Sequence, residues 1–149
     1  MERGEFRFPL FIDLNKKRAV VIGGGKIACR RAEVLCRFGA EVTIIAPECP
    51  DVPKGVAYLC RAYQKGDLKG AFLAVAATDD RQVNRQVGQE ASQLGIPVSV
   101  ADRKEESSFF FPAICQGGGL VCGLVSHGTD HRKTAMAAEK IRGILGEME

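Results

Sequence analysis

Gly23, Gly25 and Ala28 stand at the spacing G-x-G-x-x-A directly after Ala19-Val20-Val21-Ile22, and that arrangement suits a pyrophosphate. The first glycine permits a tight turn and the second lets the backbone come close to the phosphates. A small third residue lets the following helix lie against the strand. Lys26 and Ile27 fall in the first helical turn, where unpaired N–H groups and a partial positive charge favour an anion. A nucleotide is the ligand this stretch asks for, and a glycine-rich turn without ligand is the plainer alternative. The second candidate is Asp102, which follows the run Pro97-Val98-Ser99-Val100-Ala101. A carboxylate there can accept a proton or hold an N–H donor, although carboxylates also commonly cap turns at strand ends.

The elements that must position these residues follow from the apolar pattern. Arg18 to Ile22 predicts a strand and Lys26 to Phe38 a helix, with Ala28, Ala32, Leu35, Ile27, Val34 and Phe38 as its apolar face. Gly39 is placed to end that helix. Glu41 to Ala46 predicts a second strand, closing a βαβ unit. An acidic residue at this strand's end commonly holds the ribose hydroxyls. Here Ala46-Pro47-Glu48 occupies the turn, so Glu48 either reaches the ribose or is a solvated loop carboxylate. Val56 to Leu59 reads as a short third strand. Ala71 to Ala76 shows no polar alternation, as expected of a central parallel strand buried on both faces. It delivers Ala77 and Thr78 to the crevice beyond the strand ends, where ligands of open α/β sheets bind. Asp79 or Asp80 is the N-cap of a helix bearing Val83, Val87, Ala91 and Leu94, and Gly95 ends it before Pro97. The expected fold is α/β: a Rossmann-like parallel sheet with helices on both faces.

After Asp102 the βαβ rhythm stops. Phe109 to Ile114 and Leu120 to Val125 flank the Gly117-Gly118-Gly119 turn, which predicts a hairpin. Ser126-His127-Gly128-Thr129 is a polar turn, and Asp130 caps a last helix from His131 to Leu145 with Ala137, Ala138, Ile141, Ile144 and Leu145 on one side. Two strands and one helix bury too little alone. Residues 114–149 are therefore expected to form a small α+β dimerisation appendage to a 1–113 dinucleotide-binding Rossmann domain, giving a homodimer. His127 and His131, four apart, invite a metal, but without a third ligand nearby no metal site is assigned. Within Phe109-Phe110-Phe111, core packing competes with stacking on a flat ligand. Arg30 and Arg31 either answer substrate carboxylates or form a solvated helix face.

The 149 residues suit one domain plus a short appendage, and a hydrophobic share of 46% with 26% charged is that of a globular protein. A net charge of +3 without a basic block gives no reason to expect nucleic acid, though it suits an anionic ligand. The apolar runs are too short for a membrane span, and the N-terminus is not expected to be a signal peptide. Six cysteines without a C-x-x-C pair are expected to be buried free thiols in a reducing cytoplasm.

Several stretches come in the order and spacing of one family. They are Phe8-Pro9-Leu10-Phe11; Gly23-Gly24-Gly25 with Ala28, Arg30 and Ala32; Ala46-Pro47-Glu48; Ala76-Ala77-Thr78-Asp79-Asp80 with Asn84; and Val98-x-Val100-x-Asp102 followed by Phe109-x-Phe111-Pro112-Ala113-Ile114. The chain resembles the precorrin-2 dehydrogenase / sirohydrochlorin ferrochelatase family, the NAD-binding module of siroheme synthase. The resemblance implies oxidation of precorrin-2 to sirohydrochlorin with NAD as cofactor, and in some members insertion of ferrous iron at the same site. It matches Asp102 to the family's proposed catalytic aspartate. It implies that Gly23, Gly25, Lys26, Ile27, Ala46, Pro47, Glu48, Ala77 and Thr78 surround NAD, and that Ser126, His127, Gly128 and Phe109 face the tetrapyrrole. Two positions depart from the pattern: Asp130-His131 replaces the family's Ser-Pro, and Ser99 stands where Asn is usual. The family's helical C-terminal domain and its methyltransferase module are both expected to be missing. The alternative is a non-catalytic nucleotide-sensing or tetrapyrrole-carrier module.

Overall fold

A computed structural model of the chain describes residues 4–128 and 130–148; Thr129 of the expected polar turn lies outside them. The chain divides into two compact units, Ile12–Phe110 and a second built from residues 4–11 with 111–148.

The larger unit holds five parallel strands: β1 (Arg18–Ile22), β2 (Glu41–Ala46), β3 (Ala57–Cys60), β4 (Leu73–Ala76) and β5 (Val98–Val100). Their order is β3-β2-β1-β4-β5. From β1 the chain steps one way to β2 and, after β3, returns to β4 on the other side. A topological switch therefore falls between β1 and β4. Right-handed crossovers then put α1 (Lys26–Arg37) and α2 (Arg81–Leu94) on opposite faces of the sheet. Residues 19–22 of β1 and all of β4 and β5 are buried, which is why their sequences lack alternation. One core cluster is Val20, Ile22, Ile45, Leu68, Ala74, Ala76, Val87, Ala91, Val98 and Val100, and Val21, Ala28, Ala32, Leu35, Ile44 and Val75 are buried as well.

Helix ends follow their signals. The Asp80 side chain accepts from the amides of Gln82 and Val83, and Gly95 ends α2 at φ 69. The α1 face is narrower than its periodicity predicts: Ala28, Ala32 and Leu35 are buried, whereas Ile27 is 54% exposed in the first turn.

In the smaller unit, β6 (Ala113–Gly117) pairs antiparallel with β7 (Leu120–Leu124), and α3 (His131–Gly146) follows, capped by Asp130. The hairpin turn uses Gly118 and Gly119 at φ 56 and 77, a backbone that favours glycine. β6 starts at Ala113 rather than among the phenylalanines, because Pro112 has no N–H for the ladder. Cys115, Ala138 and Leu145 form its core. Ile144, expected inward, is 58% exposed. The cysteines are all free, but only Cys115 is buried and Cys60 is exposed, which corrects the expectation of buried thiols throughout. Among the described residues no helix is long and apolar enough to cross a membrane.

Candidate functional site

The carboxyl ends of the strands are stitched into one edge by backbone hydrogen bonds. Gly23 N–H donates to the Ile45 carbonyl at 3.0 Å, Ala77 N–H to Ile22 at 2.8 Å, and Ala101 N–H to Ala76 at 2.9 Å. The end of β2, the glycine turn, the Ala77-Thr78 loop and Asp102 therefore follow one another along the sheet edge. Four separate stretches of sequence share that edge.

The glycine turn is sterically specified. Gly23 has φ 128, and a Cβ there would lie 2.3 Å from the Ala77 carbonyl oxygen. A Cβ on Gly24 would lie 2.0 Å from the Glu48 carbonyl oxygen, so the loop after β2 rests directly on this residue. Gly24 is a position that the G-x-G pattern leaves free, and sequence reasoning missed it. Gly25 differs from both, with no heavy atom within 4 Å of an added Cβ. It is also the N-cap of α1, and it offers no side-chain hydrogen bond to the first amides; the first turn carries no acidic residue. α2 and α3 have aspartate caps in the same place. A helix start without a side-chain cap beside open space fits a pyrophosphate, whose oxygens can accept from the first amides. Lys26 and Ile27 are exposed there, as are Pro47 and Glu48, while Ala46 is buried.

Thr78 lies at the crevice edge, but its hydroxyl is engaged within its own loop. It donates to Asn84 Oδ1 at 2.7 Å or the Asp80 carbonyl at 3.0 Å, and accepts from Asp80 N–H at 3.1 Å. Thr78 N–H donates to Asn84 Oδ1 at 3.0 Å, and Asn84 Nδ2 returns a bond to the Thr78 carbonyl at 3.0 Å. Asn84 is fully buried. It is a polar residue inside the apolar face of α2, and that misfit was the available sequence signal. Asn84→Ala should lower stability by about 2–3 kcal/mol, since it strands a buried amide and leaves a hole. Urea unfolding checks this, and a loss below about 0.5 kcal/mol would mean that water replaces the carboxamide.

Asp102 is exposed, and its Oδ1 accepts from Arg81 Nη1 at 2.8 Å; Arg81 Nη2 reaches Glu106 Oε1 at 2.6 Å. No hydrogen bond engages Asp102 Oδ2 among the described residues. Arg81, the first residue of α2, is a partner that the sequence reading did not find. Phe109 belongs to the same unit, with its N–H 3.3 Å from the Val98 carbonyl and its ring half-buried. Arg31 turns toward the sheet, its Nη1 donating to Ser99 Oγ at 3.2 Å, and burial lowers its basicity.

Ser126, His127 and Gly128 belong to the smaller unit. Ser126 Oγ donates to the Gly128 carbonyl at 2.9 Å. His127 Nε2 meets Glu5 Oε1 at 2.8 Å, and its ring lies 4.9 Å from that of Phe6.

A family model described as NAD(P)-binding matches residues 10–113. The chain is 44% identical over 145 residues to the "Probable multifunctional siroheme biosynthesis protein HemA" of Ruminiclostridium josui, covering 93% of this chain and 28% of that protein. It is 39% identical over 143 residues to a siroheme synthase of Methylobacillus flagellatus, covering 92% and 31%. The chain thus spans less than a third of these relatives. Among solved structures, SirC, a precorrin-2 dehydrogenase, superposes with a TM-score of 0.76 at 24% identity, over 95% of this chain and 72% of that one. The two share a fold.

Proposed function

The chain belongs to the NAD(P)-binding family, and on that premise we propose that it oxidises precorrin-2 to sirohydrochlorin with NAD⁺ as the acceptor. The observation that carries this reading is the position of Asp102 on the same sheet edge as the glycine turn, one carboxylate oxygen held by Arg81 and the other left for a ligand. Relatives named for siroheme synthesis support the choice of substrate.

When bound, the nicotinamide supplies a hydride acceptor. The chain's own residues do the rest. The amides of Gly25, Lys26 and Ile27 would hold the pyrophosphate, and Ala46, Pro47 and Glu48 would border the ribose. Ala77 and Thr78 line the same edge, their loop kept in shape by Asn84. Asp102 Oδ2 accepts a proton from the reduced macrocycle or anchors a pyrrole N–H, while Arg81 fixes its orientation. Phe109 offers a ring edge.

The protein acts as a cytoplasmic homodimer in this reading. Phe8, Leu10 and Phe11 are 85%, 71% and 74% exposed in a unit whose own core is small, which is surface for a second copy to cover. Sedimentation should give twice the monomer mass. The decisive assay mixes the protein with precorrin-2 and NAD⁺ and follows NADH absorbance. NADH formation supports the dehydrogenase. Bound tetrapyrrole without NADH would instead support a carrier module.

A further inference from the structure

Cys29 in α1 and Cys49 in the loop after β2 are free, half-buried thiols whose sulfurs lie 3.6 Å apart. Their contact joins the two segments that flank the glycine turn. Cys29 N–H donates to the Gly25 carbonyl at 3.0 Å, and its thiol approaches the Gly24 carbonyl at 3.7 Å. Cys49 follows Glu48, whose carbonyl rests on Gly24. We infer that Cys29 and Cys49 are an oxidation site, forming a reversible disulfide that weakens dinucleotide binding at the glycine turn. The affinity half rests on the cofactor family and is independent of the substrate.

The sulfurs must close to about 2.05 Å, a movement of roughly 1.5 Å. That movement draws Cys49 and Glu48 toward α1, where there is no slack. A Cβ on Gly24 would already stand 2.9 Å from Cys49 Cβ and 2.0 Å from the Glu48 oxygen. The turn shifts with the loop, and with it the amides of Lys26 and Ile27 and the Glu48 carboxylate.

The exchange balances with a small-molecule disulfide as oxidant. Two S–H bonds break and one S–S bond forms; the two electrons and two protons leave with the oxidant as two thiols. Cys29 is pushed up to about 11, first by burial and then by Cys49 beside it, so it enters protonated. Cys49 attacks the oxidant and forms the mixed disulfide. Cys29 then passes on its proton and displaces the second thiol. Cys36 and Cys60 lack such a partner: their sulfurs approach the Gly55 and Pro47 carbonyls at 3.9 and 3.3 Å.

The test incubates the whole protein with oxidised glutathione, alkylates remaining thiols and maps peptides by mass spectrometry. NAD⁺ affinity is measured by calorimetry on the same samples. The expected result is a Cys29–Cys49 cross-linked peptide, two hydrogens lighter, and an NAD⁺ Kd weaker by about tenfold or more that dithiothreitol restores. Cys49→Ser should lose both the cross-link and the response to oxidant, and Cys29→Ala repeats the test should that variant fold poorly. Alkylated Cys29 and Cys49 after oxidation, or a glutathione adduct as the stable end product, overturns the bridge. Bridged protein that binds NAD⁺ undiminished overturns the effect on affinity. Reduced protein that binds no NAD⁺ overturns the family cofactor and the affinity half with it, while the peptide map still decides the bridge.

Discussion

Asp102→Asn is expected to lower the turnover of precorrin-2 by a factor of about 10²–10³, the usual scale for losing a positioned proton acceptor, with NAD⁺ affinity unchanged. The substitution keeps shape and volume but removes the charge and the ability to take a proton. It also removes the ion pair with Arg81, whose Nη1 lies 2.8 Å from Oδ1. Because Arg81 also holds Glu106, the guanidinium stays anchored and the effect stays local. Initial rates of NADH formation, with calorimetry of NAD⁺ on the same sample, measure both halves. Unchanged turnover removes Asp102 from the chemistry and leaves it a turn-capping residue.

Two alanines placed two residues apart should fail in opposite ways. Gly23→Ala drives a methyl to 2.3 Å from the Ala77 oxygen and 2.7 Å from its carbonyl carbon, at φ 128. Those atoms are backbone, held by the Ala77 N–H bond to Ile22 at 2.8 Å, so neither side can give. A stability loss of about 3 kcal/mol or more follows, from the clash and the backbone strain together. Gly25→Ala meets nothing within 4 Å and sits at φ −83. Its stability should stay within about 0.5–1 kcal/mol of the parent, as for other open surface sites. Its NAD⁺ affinity should fall by about tenfold or more if the proposed site is right, because the methyl fills the open space proposed for the pyrophosphate. Thermal unfolding and calorimetry separate the two. A Gly25→Ala protein that binds NAD⁺ normally would move the phosphates away from this turn.

The parts of the fold that could be read in advance are those dictated by local chemistry. β1 and β2 keep their expected bounds because β-branched runs end at glycines or at Pro47, and Asp80 and Gly95 bound α2 by capping. What the sequence hid depends on where distant segments return. Arg81 finds a carboxylate 21 residues away, Glu48 settles on Gly24, and Cys49 arrives beside Cys29. Spacing carries no signal for any of these meetings. Periodicity also overstates helix faces, as at Ile27 and Ile144, because it reports which side is apolar and not how much of that side this chain covers.

The seating of the Glu48 carbonyl on Gly24 has a consequence for altering the coenzyme preference of this scaffold. Insertions or deletions between Ala46 and Cys49 would lever the glycine turn out of place, so loop grafting from enzymes that take the phosphorylated coenzyme is closed. Only side chains that project outward from that loop, at Pro47 and Glu48, remain free to be exchanged. Selectivity there must be rewritten by charge rather than by length.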